Sequence, residues 1–432
     1  MEKIKHNILG DVPINWSVVK FDTVVELIHG YQFRTSDFTE EGIKIFKITQ
    51  IKGDGIIDIS NCDFINIERL DDFKKNQLKY NDILMALTGA TIGKIARFKS
   101  KEICLQNYRV GKFISRDKNI FSEDYLYYFL SSNLFFHQLL ARQTQSAQQN
   151  IGKEDINNMT ICFPDLPTQT AIAEILSSLD DKIELNNKIN QELENLAQTL
   201  FKQWFIDFEF PNQNGDPYKS SGGEMVDSEL GEIPKGWEVI NIQDLGKIIC
   251  GKTPSKKISE YYGSDMPFIK IPDMHKNTYI VNSIDNLSVK GYNSQTNKTL
   301  PKNSIVVSSI ATVGLVSLTS MPSQTNQQIN SIIPKVDWLT FYIYDLCKSL
   351  NDNFIQLASG GSATLNMNTS TFKNISILQP TEAVLKSYHF LVVSLFEQIE
   401  MNTKENQELT NLRDTLLPKL ISGELEVNNH NF

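Results

Sequence analysis

The chain has 432 residues, 41% of them hydrophobic and 22% charged, with a formal net charge of −9; this exceeds one ordinary core, and the composition is that of a folded soluble chain. Five cysteines, at 62, 104, 162, 250 and 347, are odd in number, far apart and free of any C-x-x-C pair, which argues against a disulfide framework or a zinc site and for reduced thiols in a cytoplasmic protein. The opening residues, MEKIKHNILGDVPINW, carry no apolar signal stretch, so no membrane anchor is expected.

In chain order the pattern predicts a globular unit over 1–165, a long helix over 166–210, a linker over 211–233, a second globular unit over 234–380, a second long helix over 381–427 and a tail over 428–432. Charge follows the same division. Residues 1–165 carry 21 basic and 21 acidic residues, 166–211 carry 3 and 8, 212–380 carry 14 and 14, and 381–432 carry 4 and 8. The excess acid therefore lies in the helical stretches. A neutral globular unit can still present a basic face, so the acidic total does not exclude a nucleic-acid partner.

In the first unit, GKIARFKSKEICLQNYRVGKFISRDK (93–118) holds eight basic residues, among them Lys94, Arg97, Lys99, Lys101 and Arg109, against Glu102 and Asp117. Gln106 and Asn107 are interleaved. Reading a duplex takes Arg or Lys for guanine, Asn or Gln for adenine, and basic groups for phosphates. A DNA-facing surface and an ordinary solvated strand-and-turn surface both fit this stretch.

The first long helix shows a seam in steps of three and four: Ile172, Leu176, Leu179, Ile183, Asn186, Asn190, Leu193, Ala197, Leu200 and Trp204. The second repeats it with Tyr388, Val392, Leu395, Ile399, Asn402, Asn406 and Leu409. In both, two asparagines interrupt an apolar stripe. Buried asparagine weakens a coiled coil but fixes its register, because a shifted partner leaves the amide unpaired. Each helix could bury its stripe on its own globular unit, or the two could pair with each other. At about 1.5 Å per residue, ~35–40 residues make a rod of roughly 55 Å. The end of the first helix, LFKQWFIDFEFP (200–211), is aromatic. Trp204, Phe205 and Phe208 suit either a local cluster or a docking patch for a protein partner. The stretch after it is rich in Gly, Pro and Ser and reads as a linker.

In the second unit, GKTPSKK (251–257) joins turn residues to Lys252, Thr253, Ser255, Lys256 and Lys257, a mix suited to approaching phosphates or base edges and also to any surface turn. Lys270 is added to this candidate set. Residues 303–334 carry no charge, yet their apolar runs are short and broken by polar residues, so buried strands with a polar loop are expected rather than a membrane span. Gln324, Asn326 and Gln327 form an amide cluster on that loop. The unit contains no arginine, so guanine readout there would rest on lysine or backbone groups.

The whole chain is duplicated. IELNNKINQELENL (183–196) and IEMNTKENQELTNL (399–412) share ten of fourteen positions at an offset of 216. GDVPINW (10–16) matches GEIPKGW (231–237), LKYNDILMALTGATIGK (78–94) aligns with LPKNSIVVSSIATVGLV (300–316), and 146–164 aligns with 362–380. Order and duplication together predict an α+β fold: two similar α/β domains separated by two long helices forming an antiparallel coiled coil, with an internal pseudo-two-fold repeat.

At this point the chain resembles the specificity (S) subunits of type I restriction–modification enzymes. The helical segment 166–211 is similar to the family's central conserved region, and GEIPKGWEVINIQDLGKIICGKTPS (231–255) to the start of a second target-recognition domain. GYQFRTSDF (30–38) and ATIGK (90–94) resemble first-domain motifs and bring Gln32, Arg34 and Thr91 into the candidate set. LLPKLISGELEV (416–427) resembles the distal conserved region. Gln106-Asn107 stands where the second copy reads Asn326-Gln327. The resemblance implies that 1–165 and 234–380 are recognition domains, each reading half of a split site on double-stranded DNA, with the helix pair setting the unread spacer. It implies methyltransferase (M) subunits, two of them, and restriction/translocase (R) subunits as partners. It places AdoMet, ATP and Mg²⁺ on those partners and no cofactor in this chain.

Catalytic readings fare poorly. LTGATIGKI has three residues between Gly89 and Gly93 where a phosphate loop needs four, and Ile95 follows Lys94 where Ser or Thr would hold Mg²⁺. Asp180 and Lys182 imitate a nuclease site but sit in the heptad helix. No Pro-Pro pair, G-x-G-x-x-G or H-E-x-x-H occurs. The expectation is a DNA-recognition subunit without chemistry of its own, and the rival is a two-lobed adaptor that binds proteins.

Overall fold

The computed structural model describes residues 3–6, 8–53, 55–143, 151–275, 277–359 and 365–427. The expected tail, 428–432, and parts of the last aligned pair of segments (146–150 and 362–364) lie outside the described residues. The chain forms two compact units, Met1–Asp181 with Leu409–Phe432, and Lys182–Glu408. Each thus contains one globular part and a stretch of both long helices.

In the first unit, hairpin strands Lys3–His6 and Gly10–Pro13 lead to Ser17–Lys20, which pairs antiparallel with Thr160–Phe163. One sheet runs Val25–His29, Val110–Ser115, Ile83–Ala86, Ile95–Arg97, all antiparallel. A second runs Cys104–Gln106, Ile43–Phe46, Asp63–Ile65, Phe38–Thr39, with its first pair parallel. Ile83–Ala86 is buried on both faces, as an unbroken apolar run requires. Its alternate side chains serve two cores. Ile83 and Met85 join Phe21, Phe113 and Tyr125, while Leu84 and Ala86 join Phe46 and Phe98.

The second unit repeats this plan. Met225–Ser228 and Gly231–Pro234 form the hairpin, and Glu238–Asn241 pairs with Ser376–Gln379. The large sheet runs Gly246–Cys250, Ile329–Pro334, Ile305–Ser308, Val316–Thr319, Tyr279–Ile280, and the small one Asn286–Leu287, Tyr262–Ile269, Gln324–Thr325, the last pair parallel. Ile305 and Val307 again face one core and Val306 another. The chargeless stretch 303–334 is thus strands and turns. Among the described residues no helix is long and apolar enough to cross a membrane. Asn81 and Asn303 open corresponding strands with φ of 70° and 63°, a left-handed turn that asparagine tolerates better than most residues.

Residues 211–233 differ from a plain linker. They contain one hairpin strand and part of the next, and Phe210 stacks on Tyr218 and Trp237 at centroid distances of 4.6 and 5.3 Å. Glycine and proline here mark tight turns of an ordered segment.

The long helices span Leu166–Phe201 and Glu382–Ile421. Asp165 starts the first by accepting from the Thr168 amide, and Pro167 falls in the first turn, where its missing N–H is not needed. Gln169 is buried and anchors this start: its Oε1 accepts from Ser122 N, and its Nε2 donates to Ile120 O and Pro164 O. Gly423, at φ 66°, closes the second helix. Within Lys182–Glu408 the helices pair antiparallel through their asparagines. Asn186 Nδ2 donates to Asn406 Oδ1 at 2.9 Å and Glu405 at 2.7 Å, and Asn402 Nδ2 donates to Asn190 Oδ1 at 2.8 Å. Within the first unit, Arg413 from the second helix meets Asp180 of the first at 2.8 Å, and Tyr128 donates to the same carboxylate.

The second core holds one expensive group. Asp345 is buried, hydrogen-bonded to Tyr388 at 2.7 Å, and its Oδ1 has no partner. Burial pushes its pKa up to about 8, against the opposing pull of the Tyr388 hydrogen bond. The folded state therefore holds the proton more tightly than the unfolded chain. Its contribution is complete below the unfolded value near 3.8 and is lost as pH rises through 8. Asp345→Asn should flatten this dependence and raise the melting temperature at pH 9 by on the order of 5 °C, with little gain at pH 4. Equal shifts at both pH values, read by thermal melts, would refute it.

Candidate nucleic-acid interface

One loop frame is built in both units by the same backbone contacts. In the first unit Gly30 packs so closely on the strand end at 106–107 that an added Cβ would lie 2.2 Å from Gln106 O. Tyr31 N donates to Gln106 O, and Asn107 N donates to Phe46 O. Asn107 Oδ1 accepts from Arg109 N at 3.2 Å, an Asx turn that sends Tyr108 and Arg109 outward. In the second unit a Cβ on Gly251 would lie 2.1 Å from Asn326 O. Lys252 N donates to Thr325 O, and Asn326 N to Ile269 O. Asn326 Oδ1 accepts from Gln328 N at 3.1 Å. Gly30 thus corresponds to Gly251 and Asn107 to Asn326. The reversed order of Gln106-Asn107 against Asn326-Gln327 disappears: the asparagine is fixed and the flanking residue changes.

On this shared frame the side chains differ. Gln32 and Arg34 are exposed, where the second unit has half-buried Thr253 and exposed Ser255. Arg109 is exposed beside Tyr108, with its Nε 2.7 Å from the phenol oxygen, where the second unit has Gln328 beside Gln327. Thr253 Oγ1 donates to Gln327 Oε1 at 2.6 Å, and Lys252, Lys256 and Lys257 are exposed nearby in sequence. Lys270 follows strand Tyr262–Ile269 and pairs with Asp285, and Lys47 follows Ile43–Phe46 and pairs with Asp63. Tyr31 and Lys47, which lie beside this frame, were not among the residues singled out from sequence. For Tyr31 the signal was the alignment of GYQFR with GKTPS, in which only the glycine is identical.

Several candidates fall away from a direct contact. Gln106 and Gln324 are fully buried. The first donates to Ile28 O and Val110 O, and the second to Tyr292 O and Thr299 Oγ1. Their amides are used inside the fold, as are the side-chain oxygens of Asn107 and Asn326. The basic run 93–118 does not form one patch, because its strands lie in two sheets. Arg97 bridges to Asp124 at 2.8 Å and covers the Tyr127 ring, which ties it to the fold. Lys94, Lys99 and Lys101 are exposed, with Lys99 over Tyr80, and Thr91 is half-buried beside Lys94 in sequence.

The aromatic docking patch is corrected too. Trp204 and Phe205 are buried, Phe208 is half-buried, and Phe205 contacts the rings of Phe201, Trp237, Tyr342 and Tyr388 at centroid distances of 4.9–6.0 Å. They close the core of the second unit. All five cysteines are free thiols, with burial pushing Cys104 and Cys162 up to about 12. Among the described residues, no cluster of three or more His, Cys, Asp or Glu is arranged to hold a metal ion.

The family model of the type I restriction modification DNA specificity domain matches twice, at residues 13–195 and 234–411. The specificity subunit of the type I restriction enzyme HindI from Haemophilus influenzae is 39% identical, over 84% of this chain and 91% of that protein. The MjaIX specificity subunit from Methanocaldococcus jannaschii is 27% identical over 98% and 97%. The crystal structure of a type I restriction–modification S subunit from M. genitalium shares the fold at a TM-score of 0.56 and 16% identity, over 94% of this chain and 96% of that one. Two matches to one domain model, on two units that repeat one topology, place the chain in the family of type I restriction–modification DNA specificity subunits.

Proposed function

We propose that this chain is the DNA-reading subunit of a type I restriction–modification complex, without catalytic chemistry of its own. Each unit reads one half of a bipartite site, and the paired helices set the unread spacer. The observation that carries this reading is the loop frame made twice from the same backbone contacts but dressed with different side chains. A conserved scaffold with variable tips suits two different short base sequences. Arg34 and Arg109 supply guanine-type donors in the first unit, while the second relies on lysines, Thr253 and Gln327. Adenine methylation and DNA cleavage belong to M and R subunits, which carry AdoMet, ATP and Mg²⁺; two M subunits match two recognition units. Exposed Leu185 and Leu196 on the first long helix, and Phe390 and Met401 on the second, support protein partners on these helices.

The test is the chain co-expressed with its M subunits. Mapping methylated adenines should give one bipartite motif, and affinity for duplexes carrying it should exceed that for scrambled duplexes and fall steeply with salt. Equal affinity for every duplex would refute the reading.

A further inference from the structure

The two loop frames are an internal comparison. Features that differ between them can encode different base sequences. Features they share cannot, and what any two half-sites have in common is the sugar–phosphate backbone. Three shared features are side chains or their absence. Gly30 and Gly251 are explained by backbone crowding, and Asn107 and Asn326 by the Asx turns. The lysine is not explained in this way.

Lys47 and Lys270 each follow an inner strand of their sheet, immediately after the residue whose carbonyl receives the asparagine backbone amide. Each backbone N–H is capped by a side chain three residues on, Gln50 Oε1 at 2.9 Å and Asp273 Oδ2 at 2.8 Å. Each ammonium pairs with a carboxylate on the neighbouring antiparallel strand or its approach, Asp63 and Asp285. Each lies over a phenylalanine ring, Phe38 at 4.6 Å and Phe268 at 5.6 Å. The ion pairs are half-open to water: the lysine side chains are 30% and 27% exposed and the aspartates 44% and 41%. Pairs this exposed contribute roughly 0–1 kcal/mol. Stability therefore gives little reason to build the same pair twice beside the two loops.

We propose that Lys47 and Lys270 are matched DNA-backbone contacts, one per recognition unit, each held extended by its aspartate until a phosphate takes the carboxylate's place. The aspartate keeps the lysine pointed at the groove edge and, by repelling phosphates, lowers attraction for duplex that does not fit the rest of the loop. Base reading stays with the residues that differ, such as Arg109 and Gln327. This rests on the functional reading above.

The experiment uses the full chain in complex with its M subunits, binding labelled duplexes across a salt series. Lys47→Gln and Lys270→Gln should each weaken binding about three- to ten-fold at ~0.1 M salt, equally for the mapped site and for single-base variants, and each should lower the log–log salt slope by about one. Lys47→Arg should restore the slope. Asp63→Asn and Asp285→Asn should tighten binding to scrambled duplex. A base-specific change in the Lys→Gln variants would overturn the proposal, as would melting temperatures that fall with unchanged salt slopes. Salt slopes are read on any duplex, so absence of sequence preference in the unaltered complex would sink the functional reading alone.

Discussion

Removing one heptad from each long helix, residues 183–189 and 403–409, should shorten the unread gap of the recognised site by up to about three base pairs while leaving both half-sites unchanged. Seven residues carry about 10 Å of helix rise, and a base pair about 3.4 Å. The two segments face one another, with Asn186 against Asn406, and the retained Asn190 lies against Asn402 just beyond them. In sequence they separate Leu193 and Ile399, which pack in the second core, from Leu176 and Leu416, which pack in the first. A matched deletion thus keeps the Asn190–Asn402 pair and the apolar seam in phase. Deleting 183–189 alone should act differently. It would set asparagines against apolar positions, and each buried amide left without a partner costs about 1–3 kcal/mol. The single deletion should lower the melting temperature by several degrees and reduce methylation of all sites. Methylated-adenine mapping reads both results, and an unchanged gap in the matched deletion would remove the spacer role.

Gly251→Ala should abolish recognition of one half-site and spare the other, and Gly30→Ala should do the reverse. The new methyl would lie 2.1 Å from Asn326 O and 2.3 Å from Thr325 Oγ1 in one case, and 2.2 Å from Gln106 O in the other. These are mostly backbone atoms at a sheet end, so they cannot swing aside as a flexible side chain would. Relief requires the loop to lift from the strand, breaking Lys252 N to Thr325 O or Tyr31 N to Gln106 O. Overpacking of this kind costs about 1–3 kcal/mol, which shifts the balance toward displaced loops by roughly five- to 160-fold. Binding measured on duplexes altered in one half at a time separates the units. The altered unit should become indifferent to its bases, and equal weakening of both halves would contradict the proposed division.

The larger architecture was legible because it rests on periodicity and repetition. The seam with two interrupting asparagines announced paired helices, and the interrupted chargeless stretch 303–334 announced strands. The site was harder to read. Gln106, Asn107, Gln324 and Asn326 carry the functional groups that suit adenine, yet sequence does not reveal that backbone carbonyls and amides already occupy most of them. Phe205 looks the same in a docking patch and in a core. What separates these cases is tertiary contact. The equivalence of Gly30 and Gly251 was hidden for a similar reason: the loops share hydrogen-bond partners but almost no side chains. Residues 211–233 were misjudged because turn-forming composition marks ordered hairpins as well as linkers.

The second unit is one uninterrupted stretch of chain, whereas the first is assembled from both ends, with Leu420 and Ile421 almost fully buried in its core and Gly423 set against Pro13 and Trp16. During synthesis the order of maturation is therefore inverted. The half made first waits at the ribosome with an open apolar seam, and only residues made after the second unit can close it. A nascent chain stalled after residue 408 would hold a finished later half and an unsealed earlier one, the form most exposed to chaperones and proteases.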